Sequence, residues 1–256
     1  MTGDALQYGA AFSAGFVASM VNSVAGGGTL LTFPTLIWLG LNSVTANATS
    51  TVAIWPGSLG GAVGYRKELK GVDPKMLFLA LPSLLGGIAG AWLLRFTPPA
   101  VFDKLVPWLI LFATLLFTVQ EPVQRWLKSS AGEEHHGSKW FTGAIVFQFF
   151  VAVYGGYFGA GIGILMLAAL SILGISDIHL MNGMKNFFAF CINGVAAIYF
   201  IVAGMVTWPF VLSMATGAIL GGVMGAGVAR RIGRAAVRKI VVAVGFAMAA
   251  SLFFKH

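Results

Sequence analysis

A lysine inside a long apolar run is the first residue of this sequence that needs a chemical explanation. In "MNGMKNFF" (181–188), Lys185 stands between Asn182 and Asn186. Together with Asn193 these residues are spaced 0, 3, 4 and 11 along the chain, which at 100° per residue keeps all four on one face of a helix. Asn, Ser and Thr in such a stripe are accounted for by hydrogen bonds between helices, worth about 0.6–2 kcal/mol each. A lysine is not. Even on the most lenient insertion scale its charge costs roughly 2.5–3.5 kcal/mol at the centre of a membrane helix. Lys185 is therefore a candidate partner for a small anionic substrate. An amine in low dielectric can also give up its proton, which makes H+ or another coupling ion an expected second partner.

Two glycine-rich interruptions supply a second kind of anion chemistry. "VNSVAGGGTLLTFP" (21–34) and "VYGGYFGAGIGILM" (153–166) each end one apolar run and start a short one. The N-terminus of a short helix presents unpaired N–H groups and a positive dipole end, and glycine lets a ligand reach the backbone. Asn22, Gly26, Gly27, Gly28 and Thr29 in the first interruption, and Gly161 and Gly163 in the second, are the candidates. The competing account is that these glycines only let helices pack closely. If the ligand account holds, leucine at Gly27 or Gly28 removes binding and leaves the fold intact. Downstream of the first interruption, Asn47, Ser50, Thr51 and Ser58 repeat the 0, 3, 4, 11 spacing, so two polar stripes are expected to face each other.

Other polar residues have simpler roles. Asp177 and His179 suit a helix end, and His135 and His136 a solvated linker. There is no HExxH, no GxxxxGK[ST] loop, no nucleophile with a base and no pair of intramembrane carboxylates. A lone cysteine, Cys191, excludes an internal disulfide and a CxxC site. No enzyme activity, metal or cofactor is expected.

The composition requires a membrane around these residues. Of 256 residues, 58% are hydrophobic and only 9% charged, too little polar surface for a soluble domain of this length. The N-terminal "MTGDALQYGAAF" lacks a basic stretch and a cleavage site, so it is expected to be mature structure. Apolar runs bounded by Gly, Pro or charge fall at 6–26, 28–40, 44–66, 75–95, 99–120, 139–160, 162–174, 177–203, 207–230 and 235–254. The runs 28–40 and 162–174 would be only about 20 Å long against roughly 30 Å of hydrocarbon, and read as half-helices.

Ten runs divide into two sets of five, and the sets resemble each other. "FVA" recurs at 16–18 and 150–152, Gly27 matches Gly161, and "LGGIAGA" (85–91) matches "LGGVMGA" (220–226). Asn47 then matches Asn182, Ser50 matches Lys185, and Thr51 matches Asn186. The expected organisation is a first membrane repeat over 1–120, a cytoplasmic linker over 121–138 and a second repeat over 139–256. Of 15 loop Lys and Arg residues, 12 lie in 66–75, 125–139 and 230–239, which the positive-inside rule puts in the cytoplasm. Both termini then face the periplasm and the two copies have opposite orientation. The fold class is an all-α polytopic membrane protein built from two inverted repeats, each with a glycine-broken half-helix near the midplane. The net charge of +8 marks the cytoplasmic face and not a nucleic-acid surface.

"NSVAGGGTLLTFPTLIWLG" followed by "TANATSTVA", with a degenerate second copy, resembles the sulfite exporter TauE/SafE family, also called the 4-toluene sulfonate uptake permease family. The resemblance spans the chain; the second motif, "GAGIG" at 159–163, departs from the fuller GxGGG pattern. It implies a bacterial inner-membrane transporter of sulfite, sulfoacetate, other organosulfonates or related small anions. A monomer or homodimer in the lipid bilayer is expected. An anion channel and a carboxylate transporter are the alternatives.

Overall fold

The computed structural model describes residues 2–24, 27–64, 74–130, 138–172, 175, 178–232 and 234–255, and contains no strand among them. The helices are α1 (Thr2–Val24), α2 (Thr29–Trp38), α3 (Ser43–Gly64), α4 (Pro74–Leu77), α5 (Ala80–Phe96) and α6 (Pro99–Ser130), followed by α7 (Ser138–Tyr157), α8 (Ile162–Ile172), α9 (Ile178–Val202), α10 (Trp208–Ile232) and α11 (Arg234–Lys255). These match the ten expected runs with one difference of substance. Helix α6 continues to Ser130, past the predicted boundary at 120, because "QEPVQRWLKSS" keeps helix-forming Gln, Arg, Leu and Lys after the apolar run has ended. The connections 66–75, 125–139 and 230–239 lie wholly or partly outside the described residues, as do Asp177, His135 and His136.

The two interruptions adopt the same backbone. Gly27 and Gly161 are both left-handed, with φ of 93° and 80°, a conformation that a Cβ makes unfavourable. In the turn that follows, Leu30 N–H donates to Gly27 O at 3.0 Å, and Ile164 N–H donates to Gly161 O at 3.1 Å. At the far end of each short helix Leu41 N–H reaches Leu36 O (3.1 Å) and Ile175 N–H reaches Leu170 O (3.3 Å). Each pair of bonds is separated by the same 134 positions as Gly27 and Gly161. Helices α2 and α8 have 10 and 11 residues, and at 1.5 Å per residue neither is long enough to cross a bilayer.

One end of the bundle is fixed by polar contacts between helix termini. Ser43 at the start of α3 bonds Asp103 in the first turns of α6. Thr207 N–H, just before α10, donates to Thr49 Oγ1 of α3 at 3.1 Å, and Ser213 Oγ donates to Tyr8 O of α1 at 2.6 Å. Tyr157, ending α7, donates its hydroxyl to Thr97 Oγ1 at the end of α5 (3.3 Å). Trp108 of α6 meets Phe253, near the end of α11, edge to face. The starts of α1, α3, α6 and α10 and the ends of α5, α7, α9 and α11 therefore share this end. The outward surface is apolar, with Trp38, Phe78, Trp108, Phe150 and Phe254 all exposed. Such a surface suits hydrocarbon and not water. Among the described residues, Pro99–Val119 and Leu180–Val202 are long and apolar enough to cross a membrane by themselves.

Lipid offers no hydrophobic gain for bringing two helices together, so packing must come from close contact. The closest contacts link the two halves: α1 packs on α10 and α5 on α7, α3 on α10 and α5 on α9, while α3 meets α9 and α6 meets α11. Glycines make these approaches. A Cβ on Gly217 would stand 2.1 Å from Phe12 O, and one on Gly90 2.1 Å from Val153 O. Most of the glycines whose surroundings are described thus serve packing. Gly90→Leu should force α5 away from α7 and destabilise the protein by about 3 kcal/mol or more, at the upper end of overpacking costs. The check is monodisperse yield and melting temperature in detergent; a variant as stable as the parent would refute the contact.

Candidate anion site

The second interruption is where the candidate residues come together. Helix α7 ends at Tyr157, and Tyr154 reaches past this end to donate its hydroxyl to Ala160 O at 2.8 Å, which pins the turn. From α3, Asn47 Nδ2 donates to Tyr157 O at 2.8 Å. From α9, Asn193 Oδ1 lies 3.7 Å from the point where a Cβ of Gly159 would stand. The stem of Lys185 runs against the first turn of α8: a Cβ on Gly163 would be 3.2 Å from Lys185 Cδ and 3.8 Å from Cε. The ammonium, one bond beyond Cε, donates to Asn182 Oδ1 at 3.2 Å. Here a positive side chain adjoins a helix N-terminus, whose first N–H groups lack intrahelical acceptors. Both attract the same kind of ligand, an anion with several acceptor oxygens.

The first interruption has the same backbone and different neighbours. Gly28 N–H donates to Asn22 Oδ1 at 2.7 Å, so the protein itself caps the start of α2. The space beside Gly27 is occupied by the ring of Phe117, 2.1 Å from where a Cβ would stand. Thr29 is buried in the first turn of α2, and Gly26 lies outside the described residues. The Ser50 and Thr32 hydroxyls share a 2.6 Å hydrogen bond, and Thr51 Oγ1 donates to Asn47 O of its own helix at 2.9 Å. Asn186 is half-buried on α9.

The two stripes are divided in what they meet. Ser50 turns to α2 and Lys185 to α8, each the short helix that precedes its own in the chain, while Asn47 and Asn193 both reach the turn after α7. Where α3 and α9 meet, Trp55 stacks on Phe190 with centroids 5.5 Å apart. The interruptions nevertheless lie close together. Gly27 abuts Phe117, while Gly161 abuts Ala113 and Leu116, all on one turn of α6. Sequence reasoning missed Phe117 and Tyr154, two aromatics among many with no spacing signal. Trp55 could have been found, since it aligns with Phe190 in the repeat and sits at the edge of its stripe.

A model of the sulfite exporter TauE/SafE family matches residues 11–252. The chain belongs to this family. Its relatives include a "Probable membrane transporter protein" of Haemophilus influenzae, 27% identical over 95% of this chain and 93% of that protein. The "Probable membrane transporter protein YfcA" of Escherichia coli K12 is 27% identical over 97% of this chain and 90% of its own length. YunE of Bacillus subtilis, with the same description, is 27% identical over 85% and 87%. No solved structure matches. As a member of the TauE/SafE family the chain is a multi-pass membrane transporter.

The geometry changes which glycine substitution tests the site. Gly27→Leu would drive a side chain into Phe117 from a left-handed backbone, and a Cβ on Gly28 would stand 2.7 Å from Ala18 O. Both should fail by misfolding instead of leaving an intact, inactive protein. At Gly163 the neighbour is the flexible stem of Lys185, which can move. Gly163→Ala should therefore fold and bind anion several-fold more weakly, while Gly27→Ala should not yield folded protein. Size-exclusion profiles with anion-dependent melting shifts decide; normal folding of Gly27→Ala would contradict the packing described.

Proposed function

We propose that this TauE/SafE member transports a small sulfur-containing anion, such as sulfite, sulfoacetate or another organosulfonate, across the bacterial inner membrane. The anion binds at the second interruption, between Lys185 and the first turn of α8. The observation that carries this reading is the contact of the Lys185 stem with Gly163, which brings an ammonium to a helix N-terminus inside an apolar protein. The family's name supports the substrate class. Gly161, Gly163, Asn182, Lys185 and Asn186 form the binding face; the first interruption, already capped by Asn22, serves as its structural counterpart.

The two halves are inverted repeats, and movement of the unit α1 with α10 against the unit α5 with α7, each drawn from both repeats, gives alternating access. Their packing supports this: exchanging α1 with α7, α3 with α9, α5 with α10 and α6 with α11 turns the six closest helix pairs into one another. Equivalent helices also run oppositely, since α1, α3 and α6 start at the end of the bundle where α7, α9 and α11 finish. The basic connections follow helices that leave this end, so it is periplasmic and holds both termini. A cysteine at position 70 on a Cys191→Ser background should resist an impermeant maleimide in intact cells; labelling there would reverse the topology.

Lys185→Met is the test of the site. It removes the charge and keeps a chain of similar length, so the fold should survive while affinity for sulfite falls about 10- to 100-fold, the equivalent of losing one or two charge-assisted hydrogen bonds. Lys185→Arg should retain partial binding, because charge remains and geometry changes. Thermal-shift titration with sulfite, sulfonates and carboxylates on the purified protein reads both effects. If the methionine variant binds like the parent, the anion lies elsewhere.

A further inference from the structure

The turn that offers N–H groups to an anion on its α8 side offers carbonyl oxygens on its α7 side. Beyond Tyr157 the chain turns back, and the N–H groups of Phe158 and Gly159 both donate to Tyr154 O, at 2.9 and 3.2 Å. No backbone donor among the described residues reaches the carbonyls of Gly155 and Gly156. Gly155 O lies 2.9 Å and Asn193 Oδ1 3.7 Å from the point where a Cβ of Gly159 would stand, so two oxygens from different helices approach one position that a side chain would obstruct. Gly159 is left-handed, with φ of 78°, a conformation that also disfavours a Cβ there.

A buried side chain at this helix end carries an unsatisfied oxygen. Asn47 is only 1% exposed, and its Oδ1 has no hydrogen-bond partner. The orientation of the amide is fixed by its other end, because Nδ2 donates to Tyr157 O at 2.8 Å and a flip would set two oxygens against each other. An unpaired buried acceptor is costly, and it repels anions. It is suited to a cation.

Resting on the anion reading above, we infer that the C-terminal end of α7, with Asn47 from α3 and Asn193 from α9, binds a monovalent cation of sodium's size, and that this cation is the coupling ion. The oxygens concerned are uncharged amides and carbonyls. Divalent cations of the calcium and magnesium kind draw on carboxylates, and a proton is not held by an amide at neutral pH. The negative end of the α7 dipole favours the same charge. Cation and anion would occupy opposite sides of one turn, from Tyr157 to Ile162, so a cation that orders this turn also orients the first N–H groups of α8. Binding of either would then favour the other, by the same factor.

The test uses the purified full-length protein in detergent, with sodium gluconate exchanged for choline or potassium gluconate at constant ionic strength and no sulfite present. The inference expects a saturable rise in melting temperature with sodium, on the order of 5 °C at a hundredfold excess over Kd. Asn47→Leu should lose this rise while remaining monodisperse; if that variant does not fold, Asn193→Leu serves, and the wild-type titration stands without either. Equal shifts in choline or potassium overturn the inference, as does full sulfite uptake driven by a pH gradient in sodium-free vesicles. A sodium shift without sulfite binding sinks the anion reading alone, and sulfite binding indifferent to sodium sinks the cation alone.

Discussion

Backbone that leaves the helix inside a membrane must have its N–H and C=O groups satisfied by protein or by a ligand, because hydrocarbon supplies neither donor nor acceptor. The two glycine turns of this transporter are where that constraint acts. Everything around them can be understood as a response to it: Tyr154 holds Ala160 O, Asn47 holds Tyr157 O, and Asn22 holds Gly28 N–H. Helix α6 covers both turns with Ala113, Leu116 and Phe117, so that neither is presented to lipid.

The rest of the bundle keeps the turns in place with little help from the hydrophobic effect. The backbone-to-backbone approaches at Gly86 and Gly90 on α5, and at Gly217 and Gly221 on α10, lock helices of one half to helices of the other. Each turn is therefore anchored on a helix whose main partner belongs to the opposite repeat. These contacts make α1 with α10 and α5 with α7 closely packed units, each drawn from both halves of the chain. The central pair α3 and α9, joined by the stacked Trp55 and Phe190, lies between them, with α3 packed on α10 and α9 on α5.

Much of this was legible in the sequence, because it depends on residue type and period. The short helices follow from the distance between Gly28 and Leu41, the turns from clustered glycine, and the duplication from a nearly constant offset that returns as matched hydrogen bonds at Gly27 and Gly161. The face on which Lys185, Asn182 and Asn193 stand was given by helical period alone. What that face meets was not. A helical wheel fixes the angle of a side chain about its own axis and says nothing about the neighbour at that angle, so α8 opposite Lys185 came only with tertiary structure. Whether a glycine serves packing or a ligand is equally invisible, since Gly27 and Gly163 are the same residue and only Phe117 and Lys185 distinguish them.

The two turns have similar backbone and differ in the residues beside it. At the position of Asn22 the second copy has Gly156, which has no side chain with which to cap a helix; at the position of Ser50 it has Lys185. In the first copy Asn22 accepts from the N–H of Gly28 at the start of α2, and on α3 Ser50 is held in a neutral bond to Thr32 and Thr51 in one to its own helix. In the second copy glycine stands where the capping asparagine would be, and a lysine lies beside the same helix end. These two differences act in one direction, since removing an acceptor and adding a cation both raise the preference of α8 for an external anion. Keeping only one such site also avoids setting two anions close together, where both turns rest on one turn of α6 and low dielectric would make their repulsion severe. On the proposed reading, the asymmetry of Asn22 against Gly156 and Ser50 against Lys185 is what distinguishes the binding turn from its counterpart.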